Sequence, residues 1–172
     1  MIAELVTVVA LAAGQDFIQA DVSGSRRWRV VLEGPGGAVA YLPTAQDGET
    51  REVVLMTTAW LAESPGDNAA LLQRFFVHTL DCEGWTQAQT GFGLTDPPPR
   101  RWTPRDGPPL SRPASEPTPI EPNTAMATIA EATCGTGAAR LPEIEGDWIE
   151  VSTALRRRVE ARSPALQGAD DR

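Results

Sequence analysis

The sequence predicts an α+β domain: a small antiparallel sheet of four to five strands with a C-terminal helix packed on it. Three observations predict it. Two segments, 51–61 and 73–82, are rich in β-branched and aromatic residues and apolar on both faces, which suits covered central strands. Between 95 and 122 the chain carries ten of its fifteen prolines, and neither a helix nor a central strand runs through such a stretch. Beyond it, 123–135 has helical spacing and helical punctuation.

The first strand is read at 28–32, Trp-Arg-Val-Val-Leu. The turn Gly34-Pro35-Gly36-Gly37 follows, because Pro presets φ and Gly admits positive φ. Residues 38–42 return as the second strand of a hairpin. The third strand, 51–61, lies between the turn residues Asp47-Gly48 and Ser64-Pro65-Gly66-Asp67. Val53, Leu55, Thr57 and Ala59 share one face; Val54, Met56, Thr58 and Trp60 share the other. In the fourth strand Phe76, His78, Leu80 and Cys82 alternate with Phe75, Val77 and Thr79. A corner at Glu83-Gly84 leads to a mostly polar fifth strand, 85–92, nearer an edge.

The proline-rich loop 95–122 reads as an extended, polyproline-like excursion. It holds one basic-aromatic cluster, Arg100, Arg101, Trp102 and Arg105, a candidate partner-binding element whose plain reading is a solvated loop. In the helix that follows, Asn123 or Pro122 opens and Gly135 stops it. Met126, Ile129, Ala130, Thr133 and Cys134 form its apolar stripe. After Cys134 the chain reads as a C-terminal extension, 136–172. A helix is expected over 147–161, with Trp148, Val151, Leu155 and Val159 on one side, and disorder from 163 to the end.

Residues 1–14, MIAELVTVVALAAG, are an apolar run ending in small residues, too short to span a bilayer. They read either as a signal peptide, from which the acid Glu4 departs, or as an N-terminal helix packed on the domain. The two cysteines, Cys82 and Cys134, depend on that choice: scattered thiols in a reducing compartment, a bridge in an oxidising one. The net charge of −8 argues against nucleic acid, which a basic surface must meet. All fifteen basic residues are Arg, as codon bias in a GC-rich genome produces.

The order of these signals resembles the surface-adhesin protein E-like family. The residues that carry the resemblance are Trp28 opening a strand, Ala40-Tyr41-Leu42, the strand from Val53 to Trp60, Asp81-Cys82 ending the next, and Pro119-Ile120-Glu121-Pro122 leading to Cys134-Gly135. The likeness covers about residues 28–135. It implies an exported α+β domain, periplasmic or at the cell surface, with Cys82 and Cys134 bridged and no catalytic residue or cofactor. The loop 95–119 is longer than the pattern, the tail after Cys134 is additional, and the leader lacks its positive charge. Such a bridge closes a loop of about fifty residues, worth roughly 4 kcal/mol in the loop-entropy model. A redox or metal pair fits poorly, with no CxxC and a single histidine.

His78, mid-strand between apolar neighbours, reads as a packed core histidine. A catalytic one needs a nucleophile and an orienting acid, and Asp81 falls on the opposite face of its strand. The glycine turns lack phosphate-loop spacing and a Lys. The expected function is an envelope or surface interaction module without catalysis, meeting an unknown protein partner. The alternative is a periplasmic accessory or inhibitor acting through the proline-rich loop.

Overall fold

A computed structural model describes residues 22, 24–60, 71–95, 115–135 and 140–162. Five long strands form an antiparallel meander: β1 (Arg26–Gly34), β2 (Gly37–Asp47), β3 (Thr50–Trp60), β4 (Leu71–Asp81) and β5 (Thr86–Thr95). A two-residue strand β6 (Thr118–Pro119) joins beyond β5, and a four-residue strand β7 (Glu143–Gly146) joins beyond β1. The sheet order is β6-β5-β4-β3-β2-β1-β7, seven strands in all. Helix α1 (Ala125–Cys134) lies on one face and helix α2 (Trp148–Arg162) on the other.

The expected four to five strands are thus corrected to seven. The two additional ones carry almost no sequence signal. Thr118–Pro119 sits in proline-rich sequence, and Glu143–Gly146 offers a single large apolar residue, Ile144. Residues 143–162, set by the sequence reading outside the disulfide-closed domain 28–135, supply the edge strand β7 and the helix that closes the larger core. The readings of residues 1–14 as leader or helix, and of 163–172 as disorder, lie outside the described residues.

Both helices are capped by their own sequence. Thr124 is the N-cap of α1, its Oγ1 accepting from the Ala127 N–H at 3.1 Å. Gly135 ends α1 in the left-handed region (φ 81°), where its N–H reaches the Glu131 carbonyl; a side chain there is strained. Asp147 caps α2, with Oδ1 accepting from the N–H groups of Ile149 and Glu150 at 2.8 and 2.9 Å. Glu150 returns Oε2 to the Asp147 N–H at 3.0 Å, completing a reciprocal box.

The predicted faces of β3 and β4 are those observed. Val54, Met56, Phe75 and Val77 enter the core under α2 with Trp28 and Trp148. The rings of Phe75 and Trp148 meet edge to face, centroids 5.5 Å apart. Within this core Gln73 clamps α2 to β4: its Nε2 donates to the Ser152 carbonyl at 2.7 Å, while the Ser152 hydroxyl donates to its Oε1. Buried polar groups of this kind stabilise only when paired. Val53, Leu55 and Leu80 enter the second core, under α1, with Tyr41 and Ile129.

Cys82 and Cys134 are disulfide-bonded, Cα atoms 5.6 Å apart. The bridge ties the end of α1 to the turn after β4, where the Cys82 N–H also donates to the Glu49 carbonyl at 3.0 Å.

Candidate functional site

Among the described residues, the α1 face of the sheet is covered along only part of its length. On β3 the residues pointing to α1 become progressively more exposed: Val53 0%, Leu55 7%, Thr57 partly buried, Ala59 exposed. On β4 the sequence Leu80, His78, Phe76, Arg74 runs from fully buried to exposed in the same direction. The α2 face shows no such gradient, since Val54, Met56 and Thr58 are all 0% exposed.

At the open end a groove of about 350 Å³ is lined by Leu32, Gly37, Val39, Thr57 and Ala59, with neighbouring backbone. Two features of the sequence make it. A β-bulge between Val30 and Leu32 shifts the register, so that Leu32 pairs with Val39. Simple alternation would put Leu32 in the core with Trp28 and Val30; the bulge turns it instead to the α1 side, 57% exposed. Gly37 provides the notch, because a Cβ there would stand 2.5 Å from the Thr58 carbonyl oxygen. Leu32, Val39, Thr57 and Arg74 then form one row across four strands. Sequence reasoning missed this site; the glycine-rich turn beside an alternating strand was its one visible signal.

A second cleft, about 390 Å³, opens at the other end of the same face, between α1 and the strands. Arg29, Arg51, Thr44 and Thr133 line it. Both guanidinium groups are engaged within the fold. Arg29 donates to the Tyr41 hydroxyl at 3.3 Å and pairs with Glu143 at 3.7 Å. That hydrogen bond from Arg29 to Tyr41 raises the Arg29 pKa further, so the charge is permanent. Arg51 donates to the carbonyls of Gly48 and Thr50 at 2.5 and 3.1 Å. With Glu143 and Glu52 close by, the cleft has a polar rim with no strong excess of charge.

His78 is partly buried beside Phe76, ring centroids 6.3 Å apart, and its Nδ1 has no hydrogen-bond partner. Burial lowers its pKa, an effect that Gln87 opposes. Asp81 is occupied elsewhere: its Oδ1 accepts from the N–H groups of Glu83 and Gly84, both at 3.0 Å, and shapes the turn. Among the described residues no group of three or more His, Cys, Asp or Glu could hold a metal ion. Nor, among them, is any helix long and apolar enough to cross a membrane.

The predicted partner-binding residues Arg100, Arg101, Trp102 and Arg105 lie outside the described residues. The returning end of their loop is fastened to the sheet edge. The Ser115 hydroxyl donates to the Gln89 carbonyl at 2.6 Å, the Ile120 N–H donates to the Trp85 carbonyl at 3.0 Å, and the Ile120 side chain is buried. Comparison of the chain with protein families, curated proteins and solved structures returns no match.

Proposed function

We propose that this chain is an exported, non-catalytic interaction module of the cell envelope or surface, adhesin-like in kind, and that it meets a protein partner through the open half of its α1 face. One observation carries the reading: an apolar groove on a sheet otherwise closed by two helices and a disulfide. An uncovered apolar surface loses free energy to water unless a partner takes it. The rigid frame behind it keeps the entropy lost on docking small. The bridge supports an oxidising compartment, as does the resemblance to the surface-adhesin protein E-like family. The non-catalytic part draws on His78, whose neighbours among the described residues supply neither a nucleophile nor an orienting acid.

Capture from a native envelope fraction tests the surface. Leu32→Asp abolishes capture while the protein stays folded; capture that survives Leu32→Asp overturns the assignment. Mass spectrometry of exported material, with and without reductant, tests the compartment. A processed N-terminus and a mass gain of two hydrogen atoms on reduction are expected; an intact Met1 or two free thiols contradict export.

The accessory or inhibitor reading, through the loop 95–122, keeps one observation of its own, the anchoring of the loop's returning end at Ser115 and Ile120. Capture of an enzyme that is lost on deleting residues 97–118, and kept in Leu32→Asp, would favour it.

A further inference from the structure

Helix α1 and its approach are fastened at both ends to one short turn. The turn runs from Cys82 to Trp85, and Asp81 shapes it by accepting from the N–H groups of Glu83 and Gly84. At the near end of the arm the Ile120 N–H donates to the Trp85 carbonyl at 3.0 Å, and the Ile120 side chain is buried. At its far end Cys134, the last residue of α1, is bridged to Cys82. The arm from Ile120 to Cys134 thus leaves the turn and returns to it. Between the two fastenings it covers Tyr41, Val53, Leu55 and Leu80.

The helix has little of its own to hold it there. Isolated helices shorter than about twelve residues are marginal in water, and α1 has ten. Its buried side chains are Ala127, Ile129 and Ala130, only one of them large. Two features of the closed arrangement oppose it. The Thr133 hydroxyl, one residue before the bridge, is buried with no hydrogen-bond partner among the described residues, a cost that water would remove. Trp85 sits in the left-handed region at φ 50°, which strains a bulky residue. Both cysteines are partly exposed, as attack by an external thiol requires.

From this geometry we infer that the Cys82–Cys134 bridge is a reducible latch: an external dithiol opens it, α1 leaves the sheet while its approach stays anchored at Ile120, and Tyr41, Val53, Leu55 and Leu80 are uncovered. A thiolate of the dithiol attacks one sulfur of the bridge and forms a mixed disulfide, and the other cysteine leaves as a thiolate that takes up a proton. The second thiol of the reductant then displaces the first cysteine. Two electrons pass to Cys82 and Cys134, which end as thiols, and the dithiol ends as its own disulfide. The device goes beyond the groove and does not depend on it, since α1 covers the other half of the face.

Amide spectra of the full chain, oxidised and in excess dithiothreitol, test it. On reduction the signals of Ile129 to Thr133 are expected to move to unfolded-chain positions and those of Val53, Leu55 and Leu80 to shift, while Trp148 and Leu155 stay in place. Binding of anilinonaphthalene sulfonate should rise at least about threefold as the apolar face is uncovered. Reoxidation should reverse both changes. Cys82→Ser combined with Cys134→Ser should give the reduced spectrum with or without dithiothreitol. Signals of α1 that stay in place on reduction overturn the inference. So does loss of dispersion throughout the spectrum, which would make the bridge a fastening of the whole fold rather than a latch on one helix.

Discussion

The two faces of this sheet are closed by helices of different reach. Helix α2 has fifteen residues and α1 ten, so they extend about 22 and 15 Å. The strands they cover, β2 to β4, have eleven residues each, about 36 Å. α2 begins beside β7 and ends at Glu33, burying its face from Trp28 to Leu71. α1 is held at one end of the other face by the bridge to Cys82, and the sheet beyond it is left to Leu32, Val39 and Thr57. The difference separates the two faces: among the described residues one is closed along its length, and half of the other is left uncovered.

The largest effect is expected where the shorter helix is tethered. Replacing both cysteines by serine should remove about 4 kcal/mol, measured by urea unfolding. A loss under about 1 kcal/mol would mean that α1 holds its place without the bridge. Next comes the contrast between faces. Leu155→Ala, under α2, should destabilise by about 3 kcal/mol, and Val39→Ala, in the groove, by less than about 1 kcal/mol. Equal losses would erase the distinction. Gln73→Leu should cost about 1–3 kcal/mol by orphaning the Ser152 hydroxyl, and adding Ser152→Ala should recover most of it; a double variant no better than the single one would refute the clamp.

A smaller effect comes from His78. Its folded pKa lies below the ordinary 6.5, because burial disfavours the imidazolium. Between those two values the unfolded chain binds more protons, so stability rises with pH there. The contribution is complete above pH 6.5 and is lost as pH falls through the depressed value. His78→Gln should flatten unfolding curves across this window; an unchanged slope assigns it to other groups. The smallest effect belongs to Leu32→Asp, expected to alter stability by less than about 0.5 kcal/mol. A larger loss would show that Leu32 supports the fold.

Much of the frame was legible because its strands alternate cleanly. The split of Val53 and Leu55 from Val54 and Met56 follows from period two alone, and Met126, Ile129 and Ala130 mark the buried side of α1. The edge strands were not legible, since two residues of Thr-Pro and four of Glu-Ile-Glu-Gly contain no pattern to read. The positions Trp148, Val151, Leu155 and Val159 were visible as a helical stripe. That they close the main core is a tertiary fact, set by where β7 joins the sheet. The groove was hidden for a local reason: one bulge at Val31 reverses the side on which Leu32 falls, and alternation counts straight through it.

The measurement that tests the account most directly is a footprint of partner binding on the oxidised chain, read as loss of amide signal on adding native envelope extract. The account predicts loss confined to Leu32, Gly37, Val39, Thr57 and their neighbours, with Trp148 and Leu155 unaffected, and no loss in Leu32→Asp. Loss centred on the α2 face, or an unchanged pattern in Leu32→Asp, would contradict it.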